Sequence, residues 1–488
     1  MAKIELESQL LLIGGEWIEA SGARSFEKRS AYTREPTGRV AAASREDAAR
    51  AAEAAHAAFP AWADTPPGAR RKLLWRAADL LEERAEAISA TMSAETGGTF
   101  GWGMFNCTLA AGMLREAAAQ TYGARGDVIP SDVPGMMATA VRQPVGVVVG
   151  MAPWNAPVIL AARAVAMPLA YGNTVVLKAS EESPRTHAAV IAALQDAGLP
   201  DGVVNLVTND PADAADVVDE LIAHPRVRRI SFTGSTKVGR IVAEKAGRHL
   251  KRVLLELGGK APMVVLADAD LDAAVAAASF GAFMNTGQIC MSTERIVADR
   301  SIAGELADRV AGRARELRVG DPADPETQVG PMVNERAVRR VTELVEDATR
   351  QGAQVLAGGA PDGPCFPPTV LTDVTRAMRV YGEESFGPVV PIVPVDGPDE
   401  AVEVANDTEY GLAAAVFSRD VPAALGVARR IESGICHVNG STVHDEPQMP
   451  FGGVKGSGWG RFGGTAALEE FTELRWVTVS AGPLQYPI

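Results

Sequence analysis

Cysteine is scarce in this chain of 488 residues, which has four, at positions 107, 290, 365 and 436. They are too few and too scattered for a disulfide scaffold, and point to a reducing, cytoplasmic compartment. Long hydrophobic runs are missing as well. The longest apolar region, 144–176, is broken by Pro153, Asn155, Pro157, Arg163 and Asn173, so neither half has the form of a membrane span. The first residues place Glu5 and Glu7 before a short apolar run and lack the basic start and cleavage site of a signal peptide. Positive charge is in deficit: 47 Lys and Arg against 61 Asp and Glu leave a net charge of -14, which argues against nucleic acid or an anionic membrane as the main partner. None of the six histidines joins Cys, Asp or Glu at a metal-ligand spacing, so no metal is expected. What the chain does have is an ordinary globular composition, 47% hydrophobic and 22% charged, at a length that suggests about three domain-sized units.

Ser44 and Asp47 form a capping box ahead of an alanine-rich helix reaching about Ala61. Leu73, Leu74, Ala77, Leu80, Leu81 and Ile88 recur at helical spacing, which predicts a second helix after Pro66 and Pro67. The segment 127–143 has weak strand character and departs from the main body. Beyond it, short Val/Ile runs at 145–149, 174–177, 203–207 and 229–232 alternate with helical stretches at 156–170, 185–198, 212–224 and 236–247, the rhythm of a parallel sheet with crossover helices. A second alternating region starts near 263–266 and runs past 430, with helices expected at 269–284, 302–317 and 334–351. The tail, 471–480, reads as an edge strand, completing either its own subunit or a neighbour.

Three residues stand out chemically. Cys290 closes the sequence Asn285, Thr286, Gly287, Gln288, Ile289 after an apolar helix. It is either an inert buried thiol or a nucleophile presented in a cleft, where thiolate attack on an aldehyde would create a tetrahedral centre able to lose hydride. Glu256 ends the apolar run 253–255 just before Gly258 and Gly259, as a solvated strand-end residue or as a general base whose pKa burial has raised. Asn155 follows Trp154 at a strand end, where asparagine makes turns or, with the Cys290 backbone N–H, stabilises an oxyanion.

Six segments carry a joint resemblance, in order: Pro153, Trp154, Asn155; Phe232, Thr233, Gly234, Ser235; Glu256, Leu257, Gly258, Gly259, Lys260; Gly287, Gln288, Ile289, Cys290; Glu384, Ser385, Phe386, Gly387, Pro388; and Pro450, Phe451, Gly452, Gly453. From about Leu12 to Trp476 the chain resembles the NAD(P)-dependent aldehyde dehydrogenase superfamily. At Phe105 and Asn106, 161–164 and 439–443 it is similar to the bacterial aromatic branch that includes salicylaldehyde, benzaldehyde and vanillin dehydrogenases. The resemblance implies an α/β fold: a Rossmann-type NAD-binding domain (1–122 and 145–255), an α/β catalytic domain (256–469) and a small β oligomerisation region (123–144 and 470–488) that builds a homodimer or homotetramer. It implies Cys290 as nucleophile, Asn155 in the oxyanion hole and Glu256 as the base that releases the acid, a base that acyl-transferring relatives characteristically lack.

The cofactor implied is NAD. Pro153, Trp154, Gly234, Ser235 and Leu257 fall at its binding positions, Lys178 and Glu181 at the adenosine ribose, and Glu384 and Phe386 at the nicotinamide side. Glu181 would accept from a ribose 2'-hydroxyl and repel a 2'-phosphate, favouring NAD over NADP. The sequence after Val207 departs from the family in lacking its several glycines. For the substrate, Trp102, Phe105, Ile289 and Met291 either line an apolar tunnel or fill the core. Arg163, eight residues after Asn155, is open to three roles: a structural ion pair, support for an aromatic ring or its hydroxyl, or a clamp on the distal carboxylate of a semialdehyde such as succinate semialdehyde. The expected reaction is oxidation of an aromatic aldehyde to its acid. A non-enzymatic binding protein would require Asn155, Glu256 and Cys290 to be inert together.

Overall fold

The computed structural model describes residues 8–488, so the acidic start with Glu5 and Glu7 lies outside the described residues. Five parallel strands form the heart of the first sheet. Val147–Met151, Thr174–Lys178 and Val204–Val207 are buried along their whole length, as continuous Val/Leu runs must be when helices cover both faces. Val227–Thr233 and Arg252–Glu256 extend the sheet on the other side of Val147–Met151. The chain therefore reverses its direction of growth between Val147–Met151 and Val227–Thr233, a switch point at which the carboxyl ends of the strands open a crevice. Short antiparallel strands close both edges, Gly458–Trp459 on one side and Leu11–Ile13 with Glu16–Ile18 on the other.

Every residue of the helix Pro157–Ala170 is buried between the first sheet and the helix Phe100–Gln120, which explains the apolar stretch without a membrane. Among the described residues no helix is long and apolar enough to cross one. The helix Arg45–Ala63 starts at the expected capping box, and Pro67–Glu83 follows. That second helix stops at Arg84, so Ile88 belongs to a separate helix, Ala85–Thr96, instead of continuing the run. Phe100–Gln120, which carries Trp102 and Phe105, is a fourth helix that the residue pattern did not announce.

The second sheet orders its strands Gln354–Ala357, Thr369–Thr372, Val389–Val395, Thr293–Asp299, Ala261–Val265, Ala413–Phe417 and Ile435–Val438, all neighbours parallel except the outermost pair at 354–372. The chain passes between the sheets at 257–260 and returns later, because Gly458 pairs with Glu256. The expected catalytic stretch 256–469 thus lends a strand to the cofactor-side sheet. A third, antiparallel sheet joins Thr472–Ser480 to Met136–Pro144 over their whole length, with Asp127–Ile129 beyond. The tail completes its own subunit, leaving its outer edge unpaired among the described residues and Trp476 76% exposed.

Asp47 ties the entry of the first long helix to the N-terminal strands. Fully buried, its carboxylate accepts from the Ser44 N–H at 2.8 Å and the Ser21 hydroxyl at 2.7 Å, and pairs with Arg50. Burial pushes its pKa up, but the hydrogen bonds from Ser44 and Ser21 outweigh burial and the net shift is down. A depressed carboxylate contributes stability above its unfolded pKa, near 3.9, that is lost as pH falls through its folded value. Asp47→Ala should lower stability by about 1–3 kcal/mol in urea unfolding at pH 7, and the gap from wild type should narrow below about pH 4.

Candidate active site

At the switch point the strand ends open into a crevice of about 200 Å³. Pro153, Trp154 and Asn155 follow Val147–Met151, Gly234 and Ser235 follow Val227–Thr233, and Glu256 and Leu257 stand where Arg252–Glu256 runs out. Cys290, Glu384 and Phe386 come from the second sheet's side, with Arg340 from the helix Glu335–Arg350. Ser235 caps the helix Thr236–Arg248 at the crevice wall, where first-turn amides suit a pyrophosphate.

The helix Leu271–Phe283 stops before Cys290, and Asn285 (φ 49°), Thr286 (φ 58°) and Gly287 (φ 66°) follow in the left-handed region. Two non-glycine residues there store strain of about 1–3 kcal/mol each. Hydrogen bonds hold them. Asn285 Nδ2 donates to the Asn155 carbonyl at 2.9 Å, Thr286 Oγ1 to the Gly330 carbonyl at 3.1 Å, and Ser292 Oγ to the Gly287 carbonyl at 3.0 Å. Close approach excludes a side chain at Gly259, where a Cβ would lie 2.5 Å from the Cys290 carbonyl oxygen. The loop after Glu256 is thereby pressed against the loop that carries the thiol.

Glu256 is buried, and neither carboxyl oxygen has a hydrogen-bond partner among the described residues. Burial pushes its pKa up to about 7, against the Arg163 charge and the neighbouring Cys290 thiol, while the Asp445 charge adds to the rise. The Cys290 thiol is driven well above the usual thiol range, first by burial and then by the Glu256 charge. At neutral pH the resting pair is thus a thiol facing a carboxyl poised to take its proton. Among the described residues, the Asn155 side chain and the Cys290 backbone N–H donate no hydrogen bond, which leaves two donors free beside the sulfur. The Asn155 carbonyl, by contrast, accepts from both Trp102 Nε1 at 3.1 Å and Asn285, fixing the residue's backbone.

Glu384 accepts from the Gly259 N–H at 2.8 Å, and burial, with the Glu294 charge, pushes its pKa up to about 7. Phe386 packs edge-on to Trp154 with ring centroids 5.7 Å apart. Both depend on a fully buried ion pair that the sequence did not reveal. Lys260 Nζ meets Glu294 at 2.7 Å, and the same carboxylate accepts from the Ser385 and Phe386 N–H groups at 3.0 Å. Lys178 and Glu181 sit apart from the crevice wall as a largely buried pair, with Asn209 Nδ2 donating to Glu181 at 2.8 Å. Burial raises the Glu181 pKa, but the Lys178 charge prevails and the net shift is down, so the carboxylate is ionised.

Trp102, Ile289 and Met291 are buried in the principal core cluster, and Phe105, 45% exposed, stacks on Trp102 at 5.4 Å. Arg163 is not a free cation facing a tunnel. Its guanidinium is bound to the Asp445 carboxylate, both side chains being more than 90% buried, and lies 4.0 Å over the Phe451 ring and 5.5 Å from Phe462. The aromatic ring it stacks on belongs to the protein. A clamp on a distal substrate carboxylate is disfavoured, because the positive charge is already matched. His444 is exposed and meets Glu446 at 3.1 Å.

The match to known proteins follows this geometry. Residues 17–477 match the aldehyde dehydrogenase family. The chain belongs to that family. It is 58% identical over 478 residues to a vanillin dehydrogenase of Pseudomonas sp. strain HR199, covering 98% of this chain and 99% of the relative. It is 41% identical over 483 residues to an NAD(+) benzaldehyde dehydrogenase of Pseudomonas putida, covering 98% and 97%. Among solved structures, a salicylaldehyde dehydrogenase from Pseudomonas putida G7 complexed with salicylaldehyde superposes with a TM-score of 0.97 at 45% identity, covering 99% of this chain and 100% of that one.

Removing one partner of a buried ion pair strands the other charge. Glu294→Ala should therefore cost about 3–5 kcal/mol in chemical denaturation, whereas Glu294→Ala combined with Lys260→Met should recover much of the loss. Equal destabilisation of the single and double variants would show that the loss comes from the Glu294 hydrogen bonds to Ser385 and Phe386 and not from a stranded Lys260 charge.

Proposed function

We propose that this aldehyde dehydrogenase oxidises aromatic aldehydes of the benzaldehyde, salicylaldehyde or vanillin type to their carboxylic acids, with NAD as acceptor and water as co-substrate. The observation that carries the reaction class is the unsatisfied, buried Glu256 carboxyl against the Cys290 thiol. The aromatic substrate class rests on the named activities of the relatives, together with an Arg163 already neutralised by Asp445.

The residues of the crevice fit the cofactor. An ionised Glu181 beside Lys178 suits a ribose 2'-hydroxyl and repels a 2'-phosphate, Gly234 and Ser235 at the start of a helix suit the pyrophosphate, and Glu384 with Phe386 borders Cys290 on the nicotinamide side. Bound NAD supplies the hydride acceptor. Glu256 takes the thiol proton as Cys290 sulfur attacks the aldehyde carbon, and the Asn155 amide with the Cys290 N–H stabilises the oxyanion. Loss of hydride from that carbon leaves a thioester on Cys290. Once the thiol proton has passed from Glu256 to solvent, the carboxylate removes a proton from water as it attacks the thioester, and the carboxylic acid leaves as that proton is returned to the Cys290 sulfur.

The exposed apolar residues of the third sheet, Val128, Met137 and Trp476, support a homodimer or homotetramer built through 123–144 and 470–488. A cytoplasmic site of action accords with the four free thiols.

Cys290→Ala should abolish NADH production while leaving NAD binding measurable by fluorescence quenching. Because Glu256 acts in its ionised form, wild-type turnover should rise with pH through about 7 and level off above it. Glu256→Gln should lose about 10²- to 10⁴-fold in kcat together with that ascending limb. A Glu256→Gln enzyme with a wild-type pH profile would remove Glu256 from the role of base, and near-normal turnover by Cys290→Ala would remove the covalent mechanism.

A further inference from the structure

His187 is completely buried, yet it takes no part in the chemistry above. It stands in the first turn of the helix Pro184–Asp196. That helix start does not need it as a cap, because the Glu95 carboxylate already accepts from the Arg185 and Thr186 N–H groups at 2.9 and 3.0 Å. The ring is turned instead toward the strand-end loops. Nδ1 accepts from the Ser180 N–H at 3.2 Å, and a ring nitrogen that accepts carries no proton, which puts the proton of the neutral imidazole on Nε2. Nε2 is sealed from solvent and faces the Pro153 carbonyl, short of a full hydrogen bond. Burial first, with the Lys178 charge added, pushes the ring's pKa down to about 3 against the pull of the Pro153 carbonyl and the Glu181 charge, so the ring is neutral at physiological pH.

Both backbone groups that face this ring lie where the first sheet runs out. Val147–Met151 and Thr174–Lys178 pair in parallel as far as Met151 and Lys178, and the Ala152 N–H donates to the Lys178 carbonyl at 3.4 Å. Past that link the first loop follows the crevice through Pro153, Trp154 and Asn155, and the second runs through Ser180 to Glu181. Lys178 and Asn209 hold the Glu181 carboxylate by its end, but they do not fix the backbone from which it hangs. The hydrogen bond from the adjacent Ser180 N–H to His187 does. An apolar side chain of similar size would fill the same space and leave that buried N–H without an acceptor.

We infer that His187 is a positioning residue for the cofactor: its ring, set against the Pro153 carbonyl, fixes the backbone of Ser180 and with it the neighbouring Glu181 in the place where a ribose 2'-hydroxyl is met and a 2'-phosphate refused. The inference rests on the reading of Glu181 given above and deepens it. A loop held in its binding conformation before the cofactor arrives spares the cost of ordering it, so the hydrogen bond contributes affinity without touching the ligand.

The test compares Kd for NAD and for NADP, by fluorescence quenching, in wild type, His187→Leu and His187→Asn. Leucine offers no polar atom, whereas the asparagine Oδ1 falls near the position of Nδ1 and can accept from the Ser180 N–H. His187→Leu should weaken NAD binding by about 5- to 100-fold, the range for a buried donor left unpaired, and should weaken NADP binding less, so that the preference for NAD narrows. His187→Asn should return most of the NAD affinity and of the preference. A ring that only filled the core would change the fraction of folded protein and leave both Kd values of that fraction where they were. NAD affinity in His187→Leu equal to wild type, an unchanged preference, or a loss that His187→Asn does not relieve overturns the inference. Wild type that binds NADP as tightly as NAD overturns instead the reading of Glu181 beneath it.

Discussion

The molecule is organised around a carboxyl group buried without a hydrogen bond. Leaving the Glu256 oxygens unpaired costs free energy that water or a donor would otherwise recover, on the order of a few kcal/mol. That cost keeps the group basic near neutral pH. The surrounding backbone gives it no way to relax: Glu256 is paired with Thr233 on one side and Gly458 on the other, its carbonyl accepts from the Gly234 N–H at 3.0 Å, and the next residue, Leu257, donates to the Ser457 carbonyl at 3.1 Å. The strand end that carries the side chain is thereby fixed on both edges, so the backbone cannot carry the carboxyl away from the thiol.

Cys290 is held from the opposite side by different means. Its loop runs through left-handed residues, and such a loop persists only where its surroundings over-determine it. The hydrogen bonds from Asn285, Thr286 and Ser292 do so locally, and Gly259 admits the Cys290 carbonyl at a distance no side chain would allow. The Lys260–Glu294 pair extends the same logic. Lys260 follows the Glu256 loop, Glu294 opens the strand after Cys290, and the carboxylate grips the backbone at Ser385 and Phe386. One buried charge pair thereby registers three loops that are distant in sequence and must meet at one crevice.

How much of this was legible in the residues follows from the range of each signal. Local chemistry was plain: the capping box at Ser44 and Asp47 is present as a box, and the Val-rich strands appear within a residue or two of their expected ends. The helix Phe100–Gln120 escaped because Gly101, Gly103 and Gly112 interrupt it and because burial on most of its surface removes the amphipathic stripe that marks a helix. The order of the catalytic motifs was readable as a family resemblance, but the orientation of Arg163 was not. Its partner Asp445 lies 282 residues away in a loop with no periodic pattern, so only tertiary structure could separate an ion pair from a free substrate cation.

That distinction bears on which aldehydes the protein favours. An unpaired buried arginine would carry a large desolvation penalty and would be relieved by an anionic ligand, favouring a substrate with a carboxylate at its far end. A paired arginine carries no such penalty, because its charge is already met by Asp445. The same residue therefore points to opposite substrates depending on one contact, and the contact in this protein is made. Phe451 and Phe462, which flank the guanidinium, complete a setting in which the Arg163 charge is matched inside the protein, so the distal carboxylate of a semialdehyde finds no unpaired cation there.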